Sequence, residues 1–334
     1  MNSLNNTHGI TIIGTGSSIP EMCITNDDLS HIVDTSDSWI TTRTGIKQRR
    51  VVGENDSIVS LSVKASLQAI ENANIKAEDI GLIILATSTP DDLFGTASKI
   101  QAAIGATKCF AFDLTAACSG FLLGFITAAQ FLKNGSYKHA LVVGADVLSE
   151  WVDWSDRTTC VLFGDAAAAV VLEQSENDSI IDFEIHTDGT QSHNLNIKSN
   201  KVLKICKKDM FLNKSQYEFL SMNGKEVYKF AISKIPKIIK ECLDKNQLTS
   251  KDIDWLLLHQ ANERILEAVA EKLEIDSNKI LKNLDKYGNT SAASIPLMLD
   301  EALRSKKIKN NDLIVISGFG AGLTWGVTII KWQQ

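Results

Sequence analysis

Two stretches of this 334-residue chain run through one order of elements at nearly one offset. A helical pattern ending AIENANI leads into DIGLIILATSTP at Asp79, and one ending KECLDKNQL leads into DIDWLLLHQANE at Asp252, 252 − 79 = 173 residues later. Further along, Thr115–Cys118 and a helix lead to LVVGAD at Leu141. Asn289-Thr-Ser-Ala and a helix lead to LIVISG at Leu313, with an offset of 313 − 141 = 172. Two such similar offsets predict two copies of a βαβα unit, 9–180 and 215–334, packed about a pseudo-twofold axis. Residues 181–214, rich in Asn and Lys and without a clear period, read as an inserted loop region. Functional groups should then gather where the halves join, because pockets favour such interfaces.

Within each copy, short apolar runs alternate with helical patterns. The runs at 10–13, 82–86, 140–143, 167–172, 255–258, 313–316 and 325–330 read as strands, several of them continuous rather than alternating, as for strands buried on both faces. Helical patterns fall at 58–74, 118–133, 225–244, 262–273 and 291–305. This alternation predicts an α/β fold with mostly parallel strands.

Composition narrows the function classes. A chain that is 44% hydrophobic and 22% charged has the material for a large core. A formal net charge of −6 argues against a general nucleic-acid binder. The six cysteines include no C-x-x-C pair and no His partner at zinc spacing, so no metal is expected. The N-terminus lacks the basic start and apolar run of a signal peptide, which points to a reducing, cytoplasmic setting, or a plastid stroma. The 19 uncharged residues Leu114–Leu132 are long enough for a membrane span. Their Cys, Ser, Thr and Gln, and the lack of a second span, favour a helix buried in a protein core, and no membrane partner is expected.

Three residues carry candidate chemistry. Cys118 lies where a small-residue turn feeds an apolar helix, and the positive end of a helix dipole favours the thiolate. Buried free cysteines are usually inert, and Cys23, Cys109, Cys160, Cys206 and Cys242, without that setting, read as structural. His259 closes the buried run Trp255–Leu258, the strand end at which open α/β sheets place functional groups; elsewhere such a histidine would be core or surface filling. Asn289 before a helix is, taken alone, a cap. The repeat, however, sets it beside the position equivalent to Cys118. Gly318-Phe-Gly-Ala-Gly322 and Gly14-Thr-Gly16 both fail the G-x-G-x-x-G fingerprint, with Leu323 and Ile19 in the last place, which weakens a nicotinamide enzyme. A glycine-rich turn near a nucleophile can instead present N–H groups to an oxyanion.

Seven ordered motifs, TSDSWITTRTGI (35–46), AFDLTAACSGF (111–121), ALVVGADVLS (140–149), FGDAAAAVVL (163–172), HQAN (259–262), GNTSAAS (288–294) and GFGAGLTWG (318–326), make the chain resemble the β-ketoacyl-acyl carrier protein synthase III enzymes of the thiolase superfamily from Ile10 to Trp332. The resemblance implies the five-layered thiolase-like fold, a homodimer, and a triad of Cys118, His259 and Asn289. It implies condensation of acetyl-CoA with malonyl-acyl carrier protein, without metal or redox cofactor. Main-chain N–H groups of Cys118 and of the turn at Ala321 would hold the thioester oxygen. Trp39, Arg43 and Arg157 would bind CoA, and Phe94 would close the acyl pocket across the dimer. Gln260, Arg264, Lys225 and Lys229 would meet the acyl carrier protein, with Lys272 a weaker candidate. The chain departs from its relatives at Glu271, where they carry a basic residue, and at Ala321, where many have Gly.

Rival readings are separable. A thiolase would need a second Cys in the C-terminal glycine-rich loop, and an elongating synthase a His in place of Asn289. A relative in secondary metabolism would differ in its acyl donor. A silent scaffold would show no activity, and a Cys-His-Asn hydrolase would release free acetate.

Overall fold

The computed structural model describes residues 8–207 and 210–333, with 203–207 and 210–213 as backbone only. The N-terminal reading through Thr7 lies outside the described residues, and so does the side chain on which the assignment of Cys206 rests.

Two sheets carry the fold. The first has five strands in the order Gly9–Ser18, Ala166–Ser175, His139–Asp146, Leu82–Ala86, Phe110–Leu114. The second has four, Trp255–Leu258, Leu313–Gly320, Thr324–Lys331 and Ile180–Thr187. Leu82–Ala86 is parallel to both of its neighbours, and Trp255–Leu258 is parallel to Leu313–Gly320. The remaining pairs of the two sheets are antiparallel. The expectation of mostly parallel strands is thus corrected to mixed sheets. Only Ala321–Leu323 separates Leu313–Gly320 from Thr324–Lys331, far too short a link for a parallel crossover.

The continuous apolar runs do line both faces of their strands. Leu82 and Ile84 face one core, whereas Ile83 and Leu85 face another. In the second sheet Leu257 and Leu256 divide in the same way. The central core holds the helices Gly120–Lys133 and Ser294–Arg304, whose Phe121, Phe125, Ile295 and Leu299 pack between the two sheets. Burying each such side chain is worth about 1.5–3 kcal/mol. Helices Ile58–Asn72 and Ala97–Ile104 cover the outer face of the first sheet, and Gly224–Lys245 and Glu263–Lys272 that of the second. The result is five layers, helix–sheet–helix–sheet–helix. Residues Ala166 and Ala168 are small because Ala293 and Leu297 of the central layer press on them.

The duplication extends to the backbone. Asn74 and Gln247 follow equivalent helices in the left-handed region, at φ 54° and 57°. Ala117 and Ser291 open equivalent 3₁₀ turns at φ 47° and 50°. Each turn, Ala117–Ser119 and Ser291–Ala293, runs straight into a central helix.

Three further expectations are revised. The central helix begins at Gly120, not Cys118, because the 3₁₀ turn comes first. The segment 181–214, read as an inserted loop, holds all but the first residue of the edge strand Ile180–Thr187 and much of an antiparallel hairpin, Ser199–Lys207 with Met210–Tyr217. The helices Asp37–Thr44 and Ala97–Ile104 were missed, each ended by a left-handed glycine, Gly45 or Gly105. Residues Leu114–Leu132 contribute to the central layer, and among the described residues no helix is long and apolar enough to cross a membrane.

Candidate active site

The halves meet at the two 3₁₀ turns. Cys118 is the middle residue of the first, buried at 6% exposure, in the wall of a cavity of about 1030 Å³. Ser291, from the second turn, lines the same cavity wall, and the next residue, Ala292, donates its N–H to the buried Asp146 carboxyl at 3.2 Å. The Ser291 N–H donates to Asn289 Oδ1 at 2.9 Å. The amide oxygen of Asn289 thus caps its own turn, and its NH₂ end is left to act as a donor.

His259 follows Trp255–Leu258, with its N–H donating to the Ser317 carbonyl at 2.9 Å. Its ring is almost fully buried, lies edge-on to Phe319 at 5.2 Å, and pairs Nδ1 with Ser294 Oγ at 2.7 Å. The six residues Asn289–Ser294 therefore bring Ser291 to the cavity wall that Cys118 lines and reach the histidine through Ser294.

Electrostatics at this site are dominated by burial. It pushes the His259 pKa down from 6.5 to about 3, so the ring is neutral at ordinary pH. It also pushes the Cys118 thiol up to about 12; the Ser291 hydroxyl pulls the other way, and the nearby Asp146 adds to the rise. The sequence expectation of a dipole-favoured thiolate is therefore corrected. Cys118 precedes the helix in a desolvated turn, where the loss of water works against the charged form. Burial raises Asp146 as well, opposed by Ser291, the Ser88 and Ala292 N–H groups and the Thr87 hydroxyl.

The glycine-rich turn lies directly against Cys118. A Cβ on Gly320 would sit 2.8 Å from the Cys118 nitrogen, so only glycine fits there. Ala321 lines the same cavity and has no positive φ, so its Cβ costs the turn nothing.

The other candidates divide. Trp39 is half-buried, with the Arg43 guanidinium 4.5 Å and that of Arg157 5.3 Å from its ring centroid. Trp39 and Arg157 line a second, open cavity of about 580 Å³. That cavity abuts the first, since Leu162 and Ser221 line it while their neighbours Phe163 and Leu220 line the other. Phe94 is fully exposed and lines the Cys118 cavity of its own chain. Arg264, Lys225, Lys229 and Lys272 are exposed on two adjacent helices, Lys229 being paired with Glu226 at 2.8 Å.

Gln260 is corrected. It is 1% exposed, and its amide donates to the Leu258 and Leu281 carbonyls and accepts from Asn283 N–H. It is a core fastener and presents nothing to a docking protein. Of the cysteines read as structural, Cys160 and Cys242 are buried, Cys109 is half-buried and Cys23 is exposed. Sequence reasoning missed Asp146, Ser291, Ser294 and Phe319 as parts of the site. All four lie within motifs already singled out, but nothing in those motifs says which side chains turn inward.

The family model described as 3-oxoacyl-[acyl-carrier-protein (ACP)] synthase III matches residues 112–189, and its C-terminal companion matches 243–332. A protein of Nostoc sp. named beta-ketoacyl-[acyl-carrier-protein] synthase III is 57% identical over 98% of this chain and 99% of its own length. One of the same name from Synechocystis sp. is 54% identical over 99% of this chain and 100% of its own length. The solved 3-oxoacyl-[acyl-carrier-protein] synthase III of Aquifex aeolicus superposes with a TM-score of 0.88 at 43% identity, covering 97% of this chain and 100% of that one. OleA of Xanthomonas campestris, at 19% identity and a TM-score of 0.84 over 98% of this chain and 99% of its own, shares the fold.

Proposed function

The chain belongs to the β-ketoacyl-[acyl-carrier-protein] synthase III family of condensing acyltransferases, and from that premise we propose that it joins an acetyl group from acetyl-CoA to malonyl-acyl carrier protein through an acetyl-Cys118 intermediate. The observation that carries this reading is the meeting of the two turns at the large cavity, whose wall holds both Cys118 and Ser291, with Asn289 hydrogen-bonded to the Ser291 N–H.

Cys118 attacks the thioester carbonyl and expels CoA; sulfur suits both steps, as nucleophile and later as leaving group. N–H groups of Cys118 and of the turn at Ala321 hold the oxygen as it gains charge. Malonyl then loses CO₂, and the enolate oxygen takes hydrogen bonds from the Asn289 amide and from His259. A neutral ring is what that donation needs. With Ser294 donating to Nδ1, the ring proton rests on Nε2, ready to donate. The enolate carbon attacks acetyl-Cys118 and releases acetoacetyl-acyl carrier protein. No step calls for a metal or a redox group.

We read residues 9–180 as the half supplying the nucleophile and 215–334 as the half supplying the donors. CoA would lie over Trp39, with Arg43 and Arg157 meeting its phosphates. Arg264, Lys225 and Lys229, exposed on two adjacent helices, would meet the acidic carrier protein. The exposed Phe94 fits a homodimer in which a second copy covers it.

Intact-protein mass after incubation with acetyl-CoA tests the reading. Wild type should gain one acetyl group and Cys118→Ala none. Acylation only by a longer or branched donor would overturn the choice of primer. Acylation by no donor would overturn Cys118 as the nucleophile.

A further inference from the structure

Asp146 ends the strand His139–Asp146, of which every residue is buried, and is itself wholly buried. Uncharged donors hold its carboxylate. Oδ1 accepts from Ser88 N–H at 2.7 Å and from the Thr87 and Thr89 hydroxyls at 3.1 and 3.2 Å, and Oδ2 accepts from Ala292 N–H at 3.2 Å. The two hydroxyls accept in turn from the N–H groups of Thr89 and Val147, at 3.1 and 2.8 Å. Facing a carboxylate, which only accepts, they donate their own protons to it.

These bonds join the two halves at the level of the site. On the Oδ1 side, Thr87 N–H donates to the Leu114 carbonyl at 3.1 Å, at the end of the strand Phe110–Leu114 that feeds the Cys118 turn. Thr87 and Ser88 also line the Cys118 cavity. On the Oδ2 side, Ala292 is the middle residue of the turn Ser291–Ala293. Asn289 is hydrogen-bonded to the Ser291 N–H on one flank of that residue, and Ser294 to His259 on the other. Gly144 backs the same residue, since a Cβ there would stand 2.3 Å from the Ala292 carbonyl oxygen.

We propose that Asp146 is a positioning residue for the condensation step: by holding the Ala292 N–H, it sets where the Asn289 amide and the His259 ring stand relative to acetyl-Cys118. The proposal rests on the acyl-transfer reading above. Asp146 acts through the turn and takes no part in making or breaking bonds. The chemistry of the place calls for a carboxylate. Asparagine has the same shape but a single acceptor oxygen. With that oxygen in the Oδ1 place, its NH₂ faces the Ala292 N–H, donor against donor. Turned over, the NH₂ faces three donors, a costlier arrangement. Asp146→Asn therefore keeps the volume of the side chain and releases the turn.

Three measurements on Asp146→Asn test this. Acetyl loading of Cys118, followed by intact mass, should stay within about threefold of wild type, because loading uses Cys118 and the turn at Ala321 and neither Asn289 nor His259. For condensation with malonyl-acyl carrier protein, kcat should fall at least tenfold with KM for that substrate unchanged. Amide hydrogen exchange of Asn289–Ser294, which needs no substrate, should be at least tenfold faster. Thr89→Val removes one donor from Oδ1 and leaves the Ala292 bond, and should show the same split between loading and condensation at about threefold. If Asp146→Asn does not fold, the Thr89→Val split decides alone. Equal loss of loading and condensation, the mark of general damage, overturns the proposal, and so does exchange that matches wild type. A wild type that condenses, beside an Asp146→Asn that condenses as well, overturns the proposal and leaves the acyl-transfer reading standing. A wild type that takes no acyl group from any donor overturns that reading and the proposal with it.

Discussion

Ser294 Oγ lies 2.7 Å from His259 Nδ1, and this contact between the start of one central helix and the end of a buried strand fixes the histidine ring. Ser294→Ala removes it. Condensation should slow about tenfold, equal to ~1.4 kcal/mol of transition-state stabilisation. Acetyl loading of Cys118 should stay within twofold of wild type. Measuring loading by mass and CO₂ release from malonyl-acyl carrier protein separately checks the split. Equal loss in both would remove the assigned role of the histidine.

His259 sets a second expectation. Its folded pKa of about 3 lies below the ordinary 6.5, so between those values the unfolded chain takes up a proton that the folded chain refuses. Stability from this group is complete above pH 6.5 and is lost as pH falls towards 3, at up to roughly 1.4 kcal/mol per pH unit. Asp165, raised by burial from 3.8 to about 6, acts oppositely as pH rises through that range. The comparison is therefore between wild type and His259→Gln. Urea unfolding from pH 7 to 4.5 should show a shallower loss for the variant, by about one proton. Equal slopes would mean that the ring is not held neutral.

Gly320→Ala places a methyl 2.8 Å from the Cys118 nitrogen, backbone against backbone. Neither side can yield without moving the turn. Acetyl loading should fall at least a hundredfold, the loss expected when an oxyanion donor is displaced. Since the strand there is extended, at φ −169°, the damage is steric and not conformational. A variant that loads normally would show that the turn plays no part.

Gln260 and Arg264 should separate stability from docking. Gln260→Ala strands three buried partners and should cost about 2–4 kcal/mol, read as a lower melting temperature, with the carrier-protein KM unchanged. Arg264→Glu, on the exposed face, should raise that KM about tenfold while leaving stability and acetyl loading alone. The reverse pattern would return Gln260 to the interface.

Most of what positions the site could be read from the sequence, because strands buried on both faces announce themselves as unbroken apolar runs. Leu82–Ala86 and Trp255–Leu258 are legible to the residue for that reason. The repeat likewise sets Asn289 beside the turn equivalent to that of Cys118. What stays hidden is direction. Nothing in LVVGAD tells that Asp146 turns into the core, or that the glutamine of HQAN points inward while the arginine two residues beyond that motif points out. The helix dipole is an argument about charge, and position in the chain does not tell how far the same turn is shut off from water. Mixed sheets escape because the repeat fixes the order of elements and not the sense of each strand.

The paired turns have one further consequence. Cys118 and Ala292 are the central residues of two loops of one shape, and Ala117 and Ser291 are their left-handed first residues. A symmetric frame offers two equivalent seats for a reactive atom, and this chain fills one. The other carries no thiol, and Ser291 sets a hydroxyl where its twin, Ala117, keeps a bare methyl. Exchanging the two residues, Ala117→Ser with Ser291→Ala, would preserve every backbone angle and the whole composition, yet leave the thiol without its neighbour. Shape was inherited twice, and the division of labour is written in single side chains.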